Sequence, residues 1–210
     1  MVHFKQVEKY YGEKLILTIP ECKLENGVHW IGGVNGSGKT TLLKILCGMM
    51  PFNGDVFING ISLKNKPVDY KRSVSFSEAE PFYPSFITGR DLVLFYQDIR
   101  KASDRQVEKL ITFSGLRQHL NTPTGTYSSG MIKRLSLLLA FIGKVSLIVL
   151  DEPLATLDTE VAQALPGLIN EYRQEYGTGF IFTSHQPFLS ASLLPDRSFM
   201  ITEQTIHPIA

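Results

Sequence analysis

Two cysteines among 210 residues are too few for a disulfide framework, and Cys22 and Cys47 lie far apart, without the close spacing of metal ligands. A chain so poor in cysteine suits a reducing cytosol, and Cys47 reads as a small buried hydrophobe. No run of about 18 apolar residues occurs, so no segment is expected to cross a bilayer alone. The most apolar stretch, residues 135–142, is short and reads as a core helix. The amino terminus has no apolar signal region. Charge of one sign is also lacking: 21 Lys and Arg against 20 Asp and Glu leave a net charge of +1, which argues against a nucleic-acid partner. No repeat, linker or low-complexity tract interrupts the chain. With 43% hydrophobic and 20% charged residues, it has the composition of a soluble domain able to bury a sizeable core.

What is present begins with Gly33-Val34-Asn35-Gly36-Ser37-Gly38-Lys39-Thr40. A short apolar run (28–31) precedes it, and helical spacing of Thr41, Leu42, Leu43, Ile45 and Leu46 follows. Strand, glycine-rich turn and helix is the context that makes G-x-x-x-x-G-K-[ST] a phosphate-binding loop rather than an ordinary turn. Glycines let backbone N–H groups curl around an anion where a Cβ would clash, and the new helix points its positive end at the same anion. Lys39 has the reach to meet β- and γ-phosphates, and the Thr40 hydroxyl is placed to ligate Mg²⁺.

Elsewhere the first part reads as strand and turn, with β-rich segments at 4–7 and 15–19, a turn at 25–27 and a short strand at 54–60. From 85 to 120 the pattern becomes helical. Ser103 with Gln106 is a capping signal and Gly115 a plausible stop. From Met131 onward helices alternate with solid apolar strands. Residues 146–150 and Gly179–Thr183 have the character of parallel strands buried on both faces. Thr159–Tyr176 reads as a helix in which Pro166-Gly167 predicts a kink or a restart. The sum is an α/β core with a helical insert.

A second chemical set closes the apolar run Leu147-Ile148-Val149-Leu150, where Asp151 and Glu152 are followed by Pro153. Ligands of parallel sheets bind at the carboxyl ends of strands. Asp151 is therefore expected to meet the Mg²⁺ held by Thr40, and Glu152 to polarise an attacking water as general base. An acidic strand-ending turn is the plainer reading, which the phosphate loop earlier in the chain weakens. His185 follows the strand Phe180-Ile181-Phe182-Thr183, where its imidazole suits a hydrogen bond to a γ-phosphate or to the water attacking it. Asp158 reads as the N-cap of the helix from Thr159, with a nucleotide role open beside it.

With these motifs in place the chain resembles an ATP-binding cassette (ABC) ATPase domain from Tyr11 to His185. Walker A spans 33–41, a signature region lies near Ser128, Walker B ends at Glu152, a D-loop lies near Asp158, and His185 matches the switch histidine. The Asn-Lys-x-Asp motif of GTPases is absent. The resemblance implies one domain over 1–210: an α/β phosphate-loop NTPase core with a mostly parallel sheet, an N-terminal antiparallel β subdomain and a helical subdomain at about 85–145. It implies ATP and Mg²⁺ as ligands, with Gly33, Asn35, Gly36, Ser37, Gly38, Lys39, Thr40 and Thr41 on the phosphates and Tyr11 stacked on adenine (Tyr10 if the register is off by one). It implies catalysis by Glu152, His185 and Lys39. It further implies ATP sandwiched against a second ABC ATPase subunit, identical or not, whose Ser128, Gly130 and D-loop Asp158 equivalents complete the site.

Two departures stand out. The signature, usually LSGGQ, is here Tyr127-Ser128-Ser129-Gly130-Met131. If its first glycine position needs positive φ, Ser129 costs on the order of 1 kcal/mol. In the Q-loop, Glu78 stands where the family has a glutamine that touches Mg²⁺, with Glu80 the alternative alignment; a carboxylate is also a good Mg²⁺ ligand. The function so implied is an ATP-hydrolysing transporter subunit, cytoplasmic and peripheral on the cytoplasmic face of the membrane, driving separate transmembrane permease subunits. Residues 85–120 would be its docking surface, with Phe82, Tyr83, Phe86, Phe95 and Tyr96 clustered there. The alternatives are a soluble ABC-type ATPase unconnected with transport and a regulatory nucleotide-binding subunit.

Overall fold

Alternation along three short apolar strands builds the centre of this protein, whose computed structural model describes residues 1–184 and 194–209. In chain order the elements are β1 (Val2–Tyr11), β2 (Lys14–Leu24), β3 (Val28–Gly32), α1 (Lys39–Leu46), β4 (Asn53–Ile58), β5 (Ile61–Ser62), α2 (Pro67–Ser73) and β6 (Val74–Ser77). There follow α3 (Gly89–Arg100), α4 (Asp104–Ser114), α5 (Ser129–Phe141), β7 (Leu147–Leu150), α6 (Thr159–Tyr176), β8 (Gly179–Thr183), β9 (Arg197–Thr202) and β10 (Thr205–Ile209). A six-stranded sheet runs β10-β9-β3-β8-β7-β6, parallel except for the antiparallel β9–β10 edge. A four-stranded antiparallel sheet runs β2-β1-β4-β5.

The two faces of the large sheet have different partners. Leu147 and Val149 of β7 and Ile181 of β8 join a core with α1 and the antiparallel sheet, including Phe4, Leu17, Leu42, Leu46 and Val56. Ile148, Leu150, Phe180 and Phe182 point the other way, into a core with Leu135, Leu138 and Phe141 of α5 and Leu165 and Ile169 of α6. Because successive side chains alternate across a strand, a strand covered on both faces must be apolar throughout. That pattern made β7 and β8 legible.

Local chemistry sets the helix boundaries. Helix α3 starts at Gly89, later than the helical pattern from 85 predicts, because Thr88 and Asp91 form a reciprocal capping box there. Ser103 caps α4, which ends at Gly115 in the left-handed conformation. Helix α6 runs without a break from Thr159 to Tyr176 with Pro166 inside it, so the restart expected at Pro166-Gly167 does not occur. Burial of Val161, Leu165, Leu168, Ile169 and Tyr172 outweighs the one hydrogen bond that proline removes.

Candidate nucleotide site

The β1–β2 hairpin, the loop into α1 and the end of β7 converge on a cavity of about 400 Å³. Tyr11, Ile16, Asn35, Gly36, Gly38, Lys39, Thr40, Thr41, Asp151 and Glu152 line it. Tyr11 pairs with Lys14 across a turn in which Gly12 takes φ 59°, and this turn holds Tyr11 at the rim of the cavity. The ring is half-exposed, with its Oη 3.4 Å from Thr41 Oγ1 and the Lys9 ammonium 5.0 Å from its centroid.

The loop between β3 and α1 depends on left-handed backbone at Gly36 (φ 77°) and Gly38 (φ 104°), conformations that glycine adopts without strain. Gly38 is the N-cap of α1 and offers no side chain to the first-turn N–H groups, which stay available to an anion. Lys39 folds back to donate to the carbonyls of Gly33 (2.8 Å) and Val34 (3.2 Å). Ser37 Oγ is buried without a hydrogen-bond partner, and Ser37 lines an adjoining cavity with Val34 and Gly36 rather than the phosphate cavity itself.

The acids lie where the strand order places them. Asp151 is 1% exposed and caught between two hydroxyls: Thr40 Oγ1 donates to Oδ2 at 2.8 Å, and Thr183 Oγ1 donates to Oδ1 at 2.5 Å. The same Thr183 oxygen accepts from the Glu152 N–H at 3.1 Å. Glu152 takes φ 45°, a left-handed conformation uncommon outside glycine, so its backbone turns sharply at the sheet edge. Hydroxyl and carboxylate oxygens meeting beside a phosphate loop are the hard donors that Mg²⁺ prefers. Sequence reasoning missed Thr183; its only signal is one hydroxyl ending the apolar run Phe180-Ile181-Phe182.

Other expected site residues lie elsewhere. Glu78 lies just past the end of β6, lines a neighbouring cavity rather than the phosphate cavity, and pairs with Lys44 at 3.0 Å. Ser128 caps α5, accepting from the Met131 N–H at 3.2 Å, and neither it nor Gly130 lines the phosphate cavity. Ser129 is the first helical residue of α5 and has no positive φ, so the expected left-handed cost of about 1 kcal/mol is not incurred. A Cβ on Gly130 would lie 2.9 Å from the Thr156 carbonyl oxygen, in a loop where Thr156 itself takes φ 63°. Asp158 caps α6, accepting from the Val161 N–H at 3.1 Å, and lies 3.6 Å from Arg134. His185 lies outside the described residues.

Lys133 of α5 also escaped sequence reasoning. It is 1% exposed, and its ammonium donates to the carbonyls of Glu78 (2.6 Å), Ala79 (3.4 Å) and Asp151 (2.8 Å). Burial lowers its pKa to about 8, while the carboxylates of Asp151, Glu152 and Glu78 act in the opposite direction.

A phosphate loop, two acids at a strand end and an added antiparallel sheet define a nucleotide-binding α/β cassette. The family model described as ABC transporter matches residues 21–155. An uncharacterised ABC transporter ATP-binding protein, YdbJ of Bacillus subtilis, is 30% identical over 188 residues, covering 88% of this chain and 61% of that protein. The cytochrome c biogenesis ATP-binding export protein CcmA of Nitrosomonas europaea is 27% identical, covering 92% of each. The chain spans about three fifths of the Bacillus protein and about a tenth of a Dictyostelium discoideum ABC transporter A family member that it also matches. Among solved structures, an ATP-binding subunit of an ABC transporter superposes with a TM-score of 0.87 at 22% identity, over 98% of this chain and 87% of that one. The cassette MJ0796, solved as a dimer with ADP and Pi, gives 0.83 at 19% identity, over 98% and 96%. The chain belongs to the ABC transporter family.

Proposed function

We propose that this chain is an ATP-hydrolysing subunit of an ABC transporter, acting as a dimer with itself or with a second cassette and driving separate membrane subunits. The observation that carries this reading is the Thr40–Asp151 contact beside the phosphate loop, with Glu152 on the same wall. Lys39 leaves the loop carbonyls for the β- and γ-phosphates, and the open N–H groups at the start of α1 take up phosphate oxygens. Thr40 and Asp151 carry the oxygens that would hold Mg²⁺, which would offset the charge of the phosphates. Glu152 accepts a proton from the attacking water as its oxygen bonds to the γ-phosphorus. The bond from that phosphorus to the β–γ bridging oxygen breaks, leaving ADP and inorganic phosphate. Tyr11 offers its ring to the adenine.

Ser128 and Gly130, away from their own chain's cavity, serve the nucleotide of a partner cassette, as does Asp158. His185 assists at the γ-phosphate. The segment around 85–145 is a helical subdomain presenting the docking surface. Phe82, 87% exposed, lines a groove of about 460 Å³ with Met49, Tyr83 and Tyr96, and Phe86 and Phe95 are exposed elsewhere on this part of the chain, which suits a short helix of a membrane subunit. No helix among the described residues is long and apolar enough to cross a membrane, and association with a cytoplasmic face through that groove fits this.

The test is Mg·ATP hydrolysis against protein concentration, with Glu152→Gln as control. Turnover per subunit that rises with concentration and vanishes in the variant supports the reading; turnover that survives Glu152→Gln refutes the assignment of the base.

A further inference from the structure

Helix α5 does more than present Ser128 and Gly130. One turn beyond them it sends Lys133 into the interior, where three carbonyl oxygens on two different strand ends share one ammonium. Glu78 and Ala79 follow β6, and Asp151 follows β7. Those strands are neighbours in the parallel sheet, with Ser77 paired to Leu150. Lys133 thus fixes the backbone from which the Asp151 carboxylate projects, and ties it to the segment carrying Glu78. The next residue, Arg134, lies 3.6 Å from Asp158, and Gly130 abuts the Thr156 carbonyl. The first two turns of α5 therefore grip the Asp151 end, the Glu78 segment and the 156–158 loop together.

A buried ammonium is costly unless every proton finds an acceptor. Here three acceptors are supplied for three protons, and the nearby carboxylates of Asp151, Glu152 and Glu78 favour the charge. A leucine in this position would avoid the cost of burying a charge but leave the Glu78, Ala79 and Asp151 carbonyls without this donor. The cost is offset only if the strand ends need holding.

We infer that Lys133 is a positioning residue for the metal-binding edge of the nucleotide site, locking the helix that serves a partner's nucleotide to this chain's own Asp151 and Glu78 segments. The inference rests on the ATPase reading above and assigns its site a further part. Asp151 stays folded against Thr40 and Thr183 without Lys133, yet its main chain gains freedom, and oriented oxygen ligands are what Mg²⁺ requires. The phosphate loop is held by its own glycines and by α1, so metal-free ATP binding does not pass through Lys133.

The experiment is calorimetric titration of the intact protein with ATP, with and without Mg²⁺, for wild type, Lys133→Met and Lys133→Gln. Lys133→Met is expected to keep metal-free ATP affinity within about threefold of wild type and to lose about tenfold of the Mg²⁺-dependent gain, in the range seen when groups orienting metal ligands are removed. Lys133→Gln, which keeps two donors, retains more of that gain. Equal Mg²⁺-dependent gains in all three proteins overturn the inference and leave the ATPase reading standing. Loss of affinity to the same extent with and without Mg²⁺ also overturns it, since that marks a general structural role. A wild type that binds no ATP overturns both.

Discussion

Replacing Thr183 with valine keeps the shape of the end of β8 and removes one oxygen. That oxygen makes two bonds at once, donating to Asp151 Oδ1 at 2.5 Å and accepting from the Glu152 N–H at 3.1 Å. Thr183 and Asp151 are buried, so water does not replace the bond between them, whereas the Glu152 N–H is only part-buried. Losing a hydrogen bond to a charged group costs about 1.5–3 kcal/mol, and an orphaned buried N–H about 1–3 kcal/mol. The two losses share one pocket and are not additive, which puts the total near 3 kcal/mol. In a chain of this size each kcal/mol moves the melting temperature by about 2–4 °C, so Thr183→Val is expected to melt roughly 6–12 °C below wild type. Thr183→Ser keeps the oxygen, loses one methyl and should fall by only about 1 kcal/mol. Thermal unfolding followed by circular dichroism, without nucleotide, reads the difference. A Thr183→Val protein that melts within about 2 °C of wild type would refute the claim that Thr183 holds the Asp151–Glu152 turn.

The remaining expectations concern the helices around the site. Pro166→Ala restores a backbone donor inside α6; against an intrinsic proline penalty of about 3 kcal/mol the buried ring returns only part, so Tm should rise by a few degrees. A fall in Tm would mean that the ring's packing outweighs the restored bond. Gly130→Ala drives a Cβ to 2.9 Å from the Thr156 carbonyl, displacing the start of α5 from the 156–158 loop. ATP-dependent dimer formation, measured by gel filtration in the Glu152→Gln background, should weaken about tenfold, equivalent to about 1.4 kcal/mol. An unchanged elution profile would show that the loop accommodates the methyl freely.

Local pattern determined a good deal of this protein by itself. The phosphate loop is contiguous, and glycine at Gly36 and Gly38 is demanded by backbone conformation alone, so it was readable from residue types in order. Strands β7 and β8 were readable because burial on both faces leaves them almost wholly apolar, with Thr183 the one polar side chain, and the caps at Ser103, Gly115 and Asp158 because each acts within one helical turn. Strands β6 and β9 and helix α2 were not foreseen: they are short, and Ser75, Ser77 and Ser198 dilute the apolar pattern that the large sheet completes. A kink or a restart was expected at Pro166-Gly167 because the proline penalty is local, whereas the compensating burial of Leu165 and Ile169 that keeps α6 one helix comes from the packed core. Thr40 was expected beside Asp151 from the two motifs, whereas the contacts of Asp151 with Thr183 and Lys133 could be decided only by the tertiary structure. Thr40, Thr183 and Lys133 lie 111, 32 and 18 residues from it in the chain. Hydrogen bonds of that range carry no periodicity, and they exist only because parallel strands bring their carboxyl ends to one edge.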